Sequence, residues 1–143
     1  MAIERGRIIA AARGWIGTPY VHQASLKGLG CDCLGLLRGV WRELMGDEPE
    51  APPPYSADWA EARGDETLYA ALARHFAEID RIDIAPGDIA LFRMAASGPA
   101  KHCGIVAELG GIPSLIHARQ NKRVSEEELS RVLRRKLAFA FRV

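Results

Sequence analysis

The sequence predicts an α+β fold, built as a single domain over residues 1–143. Two observations carry this prediction. Segments with the 3.6-residue period of helices come first, and short apolar runs bounded by turn residues follow the Pro-Gly-Asp sequence at 86–88. Helices followed by a run of strands are typical of helices packed on an antiparallel sheet. A chain of 143 residues also buries enough surface to form one core without a disulfide or a structural metal.

The first and third predicted helices are amphipathic. Three apolar side chains at helical spacing predict a helix over residues 2–13. Residues 65–79 show the same periodicity and have acidic residues at their start, where the helix dipole favours negative charge. Residues 20–30 have no clear period and are predicted to form a loop.

The second helix begins at a clear signal. Asp32 is a residue type that accepts hydrogen bonds from the free N–H groups of a helix N-terminus. The apolar stripe that follows it predicts a helix from Cys33 to Gly46. Cys33 belongs to this stripe, so its side chain is expected to point toward the sheet. Gly35 and Gly39 are four residues apart and are expected to let the helix approach the sheet closely.

Four strands and a last helix are predicted in the second half of the chain. Gly110 and Gly111 indicate a hairpin turn between two of the strands. Ser125 and Glu128 have the spacing of a capping box, which predicts a helix over residues 125–136. The predicted strands cover residues 89–94, 102–109, 114–119 and 137–143.

Composition and charge narrow the function classes. The formal net charge of +1 points to no polyanionic partner such as a nucleic acid. Eleven acidic residues and three arginines lie within residues 43–83, which predicts a solvated acidic face, with a docking surface as the alternative. The only apolar run near the N-terminus, from Ile8 to Ala12, has five residues. We therefore expect synthesis in the cytoplasm without a signal peptide, and no membrane insertion.

Cys33 is the predicted nucleophile among the three cysteines. An odd number of cysteines at low density indicates reduced thiols rather than a disulfide framework. A helix N-terminus lowers the pKa of a thiol, because its free N–H groups and its dipole favour the thiolate. Cys31 precedes the helix cap and lies outside this field. The alternative is that Cys33 is an ordinary buried thiol.

A nucleophilic cysteine also requires a base and a group that orients the base. His102 opens a predicted strand and His117 lies within another, so both come from the sheet that the Cys33 helix is expected to cover. Each histidine taken alone is better explained as a structural residue, but with Cys33 they form a more specific Cys, His, His set. His22 lies in the loop and could line a cleft, whereas His75 is expected on the surface.

A zinc site is the alternative use of these side chains. Structural zinc sites favour two to four residues between paired cysteines, whereas this chain has one. His102 and Cys103 are adjacent, so on a strand they face opposite sides and cannot join one site without a bulge. Cys103 is therefore predicted to be a core residue, and neither a metal nor another cofactor is expected. The thiolate and imidazole groups available to a metal are those of Cys31, Cys33, His102, Cys103 and His117.

Three separated segments of the chain resemble motifs of the NlpC/P60 family of papain-like cysteine peptidases. They read GTPYVHQASLKGLGCDCLGLLRGVW, HCGIVAEL and LIHAR, in that order. The wording HQAS and CDCLGL is similar to that of a narrower branch associated with phage tails and gene-transfer agents. The resemblance covers nearly the whole chain. It implies a papain-like fold, with the nucleophile at the N-terminus of a helix packed on an antiparallel sheet.

The resemblance implies a role for each matching residue. Cys33 falls on the nucleophile of the family, His102 on its general base and His117 on the polar residue that orients the base. Tyr20 falls on the tyrosine that helps to hold the oxyanion. Asp32 matches the acid that precedes the nucleophile.

Departures from the family pattern concern the substrate side of the site. His22 stands where tryptophan is common, and Leu34 stands where serine is common. His22 and Asp32 are predicted to contact substrate. Residues 47–83 form a helical acidic insertion that the smallest family members lack.

The resemblance implies a cysteine endopeptidase that hydrolyses peptidoglycan stem peptides, at the bond between D-γ-glutamate and diaminopimelate. It further implies delivery by a phage tail or gene-transfer-agent particle, with tail-tip proteins as partners and action in the periplasm or cell wall. The alternatives are a catalytically idle structural module of a tail tip and a zinc-binding domain.

Overall fold

The computed structural model describes residues 3–50 and 66–143 and confirms the predicted α+β class. The helices are α1 (Arg5–Arg13), α2 (Cys33–Met45), α3 (Thr67–His75) and α4 (Arg131–Lys136), with a short 3-10 helix at Arg81–Asp83. The strands are β1 (Ser25–Leu26), β2 (Gly30–Cys31), β3 (Ala77–Ile79), β4 (Ile89–Phe92), β5 (His102–Leu109), β6 (Ile112–His117), β7 (Ser125–Glu128) and β8 (Leu137–Arg142).

Six strands form one antiparallel sheet in the order β3, β8, β4, β5, β6, β7. β5 and β6 are the predicted hairpin, and Gly110 and Gly111 at its turn have positive φ values, which favour glycine. β1 and β2 form a separate small hairpin inside the segment predicted to be a loop. The sheet thus places β5 between β4 and β6, away from either edge.

Alternate residues of the central strands serve two different cores. In β4, Ile89 and Leu91 face the larger core beneath α1 and α2, whereas Ala90 and Phe92 face the smaller core beneath α4. All four side chains are at most 1% exposed. Burial on both faces explains why this strand reads as a continuous apolar run.

The helix that carries Cys33 begins and ends as predicted. Asp32 is its N-cap, and Gly46 ends it with a φ of +89°. The two small residues of α2, however, do not face the sheet. A Cβ atom at Gly39 would overlap the ring of Trp15, which follows α1, and one at Gly35 would overlap the backbone carbonyl of Ala24. The close approach is therefore between α2, the end of α1 and the loop that precedes α2.

The predicted helix over residues 125–136 is wrong in its first half. Residues Ser125–Glu128 form β7 at one edge of the sheet, and α4 begins only at Arg131. The N-cap of α4 is Ser130, whose hydroxyl accepts a hydrogen bond from the N–H of Leu133.

The acidic side chains of residues 126 and 127 have partners on opposite faces of the sheet, and this alternation explains the difference. Glu126 binds Arg13 of α1 through two hydrogen bonds of 2.9 Å on one face of the sheet. Glu127 points to the other face, where its carboxylate lies 3.2 Å from the guanidinium of Arg119. Alternating partners favour an extended backbone over a helix.

The first and third helices are shorter than predicted. α1 begins at Arg5, and residue 2 lies outside the described residues. α3 ends at His75, after which Phe76 is extended and β3 pairs with β8 as an edge strand. Of the predicted insertion, residues 51–65 also lie outside the described residues. No helix within the described ranges is long and apolar enough to cross a membrane.

Candidate active site

Asp32 holds the start of α2 and the preceding loop together. Its Oδ1 accepts a hydrogen bond of 2.7 Å from the N–H of Gly35, and its Oδ2 accepts one of 2.7 Å from the N–H of Gln23. The residue is 2% exposed. The predicted cap is confirmed, whereas this buried placement offers no support for a direct contact between Asp32 and substrate.

Cys33 occupies the first position of α2 and is half-buried. Its Sγ lies 3.7 Å from the carbonyl oxygen of Lys101, just before β5 begins. Hydrogen bonds with Cys103 and His102 lower the pKa of the Cys33 thiol well below its usual range, against the opposing effect of burial. These neighbours therefore favour ionisation of the Cys33 thiol.

Cys103 is a core residue, as predicted, but it also touches the candidate nucleophile. It is fully buried, and its Sγ donates a hydrogen bond of 3.4 Å to the carbonyl oxygen of Cys33. The hydrogen bond with Cys33 and burial together raise the pKa of the Cys103 thiol well above its usual range. Cys103 thus stays protonated beside the Cys33 thiolate.

The expectation that His102 and Cys103 do not join one metal site stays a prediction. Strands β4 and β5 pair in regular register at these residues, so the two side chains alternate between the faces of the sheet. Both residues nevertheless lower the pKa of the Cys33 thiol. Cys33 begins α2, and its sulfur lies close to Lys101, the residue before β5.

His102 and His117 form the second half of the site. Nε2 of His102 and Nδ1 of His117 are 2.9 Å apart and share a hydrogen bond, and the ring centroids are 5.1 Å apart. His117 is fully buried. Burial, with the positive charges of His102 and Arg119, lowers the pKa of His117 to about 3. His117 is therefore neutral, and the two histidines of the predicted Cys, His, His set are in direct contact.

Tyr20 is half-buried beside the start of α2 and forms an isolated bridge with Cys31. Burial, assisted by the negative charges of Cys33 and Asp32, raises the pKa of Tyr20 to about 12. Its hydroxyl therefore keeps a proton that it can donate.

Cys31 and His22 occupy different surroundings. Cys31 is fully buried in the larger core, and burial raises the pKa of its thiol to about 12, so it lacks the ionised character of Cys33. Nδ1 of His22 lies 3.9 Å from the Asp32 carboxylate, and its side chain is 38% exposed. A substrate contact by His22 remains a prediction.

Glu127 is a residue near the site that the sequence prediction missed. Its Oε2 lies 3.6 Å from Nε2 of His117. Treating residues 125–128 as a strand would have found it, because alternation then places Glu127 on the sheet face of His117. Within residues 3–50 and 66–143, no group of three or more histidine, cysteine or acidic side chains is arranged to hold a metal ion.

The comparison with known proteins begins with one curated relative, since no protein-family model matches the chain. A protein named homoserine O-succinyltransferase, from Methylorubrum extorquens (strain DSM 6343 / CIP 106787 / DM4), is 33% identical over 143 aligned residues. The match covers 87% of this chain and 40% of that protein. The chain therefore spans less than half the length of this relative.

Solved structures give a consistent picture of the fold. The crystal structure of the NlpC/P60 domain of the peptidoglycan hydrolase SagA matches with a TM-score of 0.66 and 24% identity, over 99% of this chain and 100% of that one. An NlpC/P60 family protein from Bacillus cereus ATCC 10987 matches with a TM-score of 0.68 and 19% identity, over 99% of this chain and 41% of that one. With its helices packed on an antiparallel sheet, the chain has the fold of the NlpC/P60 proteins.

Proposed function

We propose that this protein is a cysteine peptidase that hydrolyses an amide bond in peptidoglycan stem peptides. One observation carries the proposal. The pKa of the thiol at the start of α2 is lowered by Cys103 and His102, and His102 is hydrogen-bonded to the buried His117. An ionised thiol, an adjacent base and a third group that orients the base are the components of nucleophilic acyl transfer.

The chemistry follows from this arrangement. The Cys33 thiolate attacks the amide carbon, a C–S bond forms, and the carbonyl electron pair moves onto oxygen. The Tyr20 hydroxyl and the backbone N–H groups at the start of α2 donate hydrogen bonds to this oxyanion. As the C–N bond breaks, the imidazolium of His102 gives its proton to the leaving amine.

Hydrolysis of the thioester completes the cycle. His102, now neutral, takes a proton from water, whose oxygen attacks the thioester carbon. The C–S bond breaks, and the carboxylic acid leaves. The thiolate and imidazolium pair is restored, so each turnover consumes one amide bond and one water molecule.

Two considerations support a cell-wall substrate. The structural neighbour SagA, which covers this chain almost completely, is called a peptidoglycan hydrolase. The motif resemblance further supports cleavage at the bond between D-γ-glutamate and diaminopimelate. That substrate is anionic, and the part of the chain outside residues 43–83 has an excess of basic over acidic residues.

The site of action is a separate proposal. The HQAS and CDCLGL wording supports delivery on a phage tail or gene-transfer-agent particle, with tail-tip proteins as partners and the periplasm or cell wall as the place of action. Purified particles should then contain the chain, and antibody against it should decorate the tail tip. Particles that lack the chain would refute delivery without affecting the peptidase proposal.

Digestion of purified muropeptides tests the peptidase activity. We expect the wild type to cut, Cys33→Ala to have no detectable activity, and the matched control Cys31→Ala to keep most of it, because only Cys33 has an ionised thiol beside a histidine. Mass spectrometry of the products identifies the bond. Muropeptide cleavage by Cys33→Ala would show that Cys33 is not the nucleophile.

Acyl transfer to an alcohol is the second candidate, because the curated relative is named as an O-succinyltransferase. Both reactions would pass through a thioester on Cys33. They differ in the acyl donor, which is a peptide amide or a succinyl thioester, and in the acceptor, which is water or an alcohol. Incubation with succinyl thioester and homoserine separates them. Formation of succinylhomoserine without muropeptide cleavage would favour the transferase, and inactivity in both assays would favour an idle structural module.

A further inference from the structure

Two buried nitrogen atoms belong to side chains that lie close to the same carboxylate. Among the described residues, Nε2 of His117 and Nε of Arg119 are buried and have no hydrogen-bond partner. The carboxylate of Glu127 lies close to both side chains, with Oε2 at 3.6 Å from Nε2 of His117 and at 3.2 Å from a terminal nitrogen of Arg119. Buried nitrogen atoms without partners are costly, so their clustering at one acidic side chain calls for a physical explanation.

Strand register places these groups together. Glu127 on β7 lies opposite Leu115 on β6, so its side chain shares the sheet face of Leu115 and His117. The diagonal neighbour across an antiparallel pair lies about 7–8 Å away, within reach of a glutamate side chain. Glu127 is therefore placed by the backbone, and a small movement of its carboxylate closes the 3.6 Å gap to a hydrogen bond.

The tautomer of His117 decides whether His102 can act as a base. If His117 carries its proton on Nε2, its Nδ1 accepts a hydrogen bond from Nε2–H of His102, and the other ring nitrogen of His102 is left for the Cys33 proton. If His117 carries its proton on Nδ1, it donates to His102, and neutral His102 must then hold its own proton on the nitrogen nearer the thiol. In the second arrangement neutral His102 has no free nitrogen on the side of the thiol, so it can neither form the ion pair with Cys33 nor take a proton from water.

We infer that Glu127 is a positioning residue that holds the proton of His117 on Nε2 and so keeps His102 in its base-competent tautomer. The inference rests on the proposed function for its catalytic consequence, but the tautomer itself does not depend on that function. Arg119 steadies the Glu127 carboxylate in this position. The relay thus runs from Cys33 through His102 and His117 to Glu127.

The test compares Glu127→Ala with Glu127→Gln, which keeps an acceptor oxygen, and with the matched control Glu128→Ala, whose side chain is exposed on the opposite face. Nitrogen-15 NMR of labelled histidine rings reports which nitrogen of His117 carries the proton. Alkylation by iodoacetamide as a function of pH reports the thiolate of Cys33. Muropeptide cleavage gives kcat and KM.

We expect the His117 proton on Nε2 in the wild type and in Glu127→Gln, and a mixture of tautomers in Glu127→Ala. In Glu127→Ala, kcat should fall by about 10- to 100-fold with KM unchanged, as is typical when an outer hydrogen-bond partner is lost. Its alkylation midpoint should move to higher pH. Glu128→Ala should match the wild type in all three measurements.

A wild-type His117 that carries its proton on Nδ1 would overturn the inference, and this measurement needs no variant to fold. Unchanged tautomer and alkylation profiles in a folded Glu127→Ala would overturn it as well. If the wild type cuts no muropeptide but the tautomer and alkylation shifts occur, the proposed function fails and the role of Glu127 stands.

Discussion

The reactivity of Cys33 depends on a neighbour that is not ionised. The thiol of Cys103 has a single proton to donate. Its Sγ lies 3.4 Å from the backbone carbonyl oxygen of Cys33, and Cys103 is also the residue that most lowers the pKa of the Cys33 thiol. A protonated thiol beside a thiolate is a donor that stabilises the negative charge, as N–H groups do at the helix start. The ionised form of Cys33 is therefore stabilised from the core as well as from the imidazole of His102.

Replacing Cys103 tests this support. Cys103→Val removes the donor while filling a similar volume, so the pKa of the Cys33 thiol should rise. The midpoint of iodoacetamide labelling of Cys33 should move to higher pH, whereas Cys103→Ser, which keeps a donor, should restore most of the shift. Identical midpoints in the wild type and Cys103→Val would show that Cys103 serves packing alone.

Sequence reasoning predicted the site residues unevenly, for local reasons. The positions of Asp32 and Cys33 at a helix start were predictable because an N-cap depends on only a few consecutive residues. The contact between His102 and His117 followed from their places on two predicted strands. The contact of the Cys103 thiol with the carbonyl oxygen of Cys33 could not be predicted by alternation, because alternation assigns a side chain to a face of the sheet and does not say which atoms of a neighbouring helix it meets.

At the scale of elements, the position of α2 is set by close contact with Trp15. Gly39 leaves room for the indole ring, and Nε1 of Trp15 donates a hydrogen bond of 3.0 Å to Oε1 of Glu43 on the same helix. Since Cys33 begins this helix, the fit at Gly39 fixes where the nucleophile lies relative to β5.

Gly39→Ala is expected to destabilise the protein by about 1–3 kcal/mol, because the added methyl group overlaps the ring of Trp15. Urea unfolding measures the change. Gly6→Ala in α1 is the matched control. Its added Cβ meets only a glutamate oxygen at 3.7 Å, and alanine favours helices by about 1 kcal/mol over glycine. A Gly39→Ala protein as stable as the wild type would mean that α2 shifts freely against α1.

Two of the strands missed from the sequence, β3 and β7, lie at the edges of the six-stranded sheet. β7 is an acidic run with good helix formers, and only the alternating contacts of Glu126 and Glu127 with other elements make it extended. β3 likewise owes its conformation to pairing with β8, at the far end of the chain. Local propensity could not reveal either strand, because tertiary pairing overrides it.

For the whole molecule, burial of a neutral imidazole couples stability to pH. The pKa of His117 is about 3 in the folded protein, below the ordinary value of 6.5. The unfolded chain therefore binds a proton that the folded protein excludes. This contribution to stability is complete above about pH 6.5 and is lost as the pH falls toward 3.

We expect the free energy of unfolding to fall with decreasing pH between about 6.5 and 3, with His117 contributing a slope that approaches 1.4 kcal/mol per pH unit. His117→Asn removes the titrating group, so the difference between the two proteins isolates it. Urea titrations at pH 7, 6, 5 and 4 provide the measurement. Parallel curves for wild type and variant would show that His117 is not the group responsible.

The β5–β6 hairpin has a consequence for the order in which the site assembles. His102 and His117 are 15 residues apart and are joined by a tight turn, whereas Cys33 and Lys101 are separated by 68 residues. Closing the longer loop costs about 1 kcal/mol more conformational entropy. The imidazoles can thus meet early during folding, while the sulfur becomes ionised only when α2 docks. It follows that the lowered pKa of Cys33 is itself a property of the docked state, so a Cys33 thiol that ionises at low pH marks a chain in which α2 has already reached the sheet.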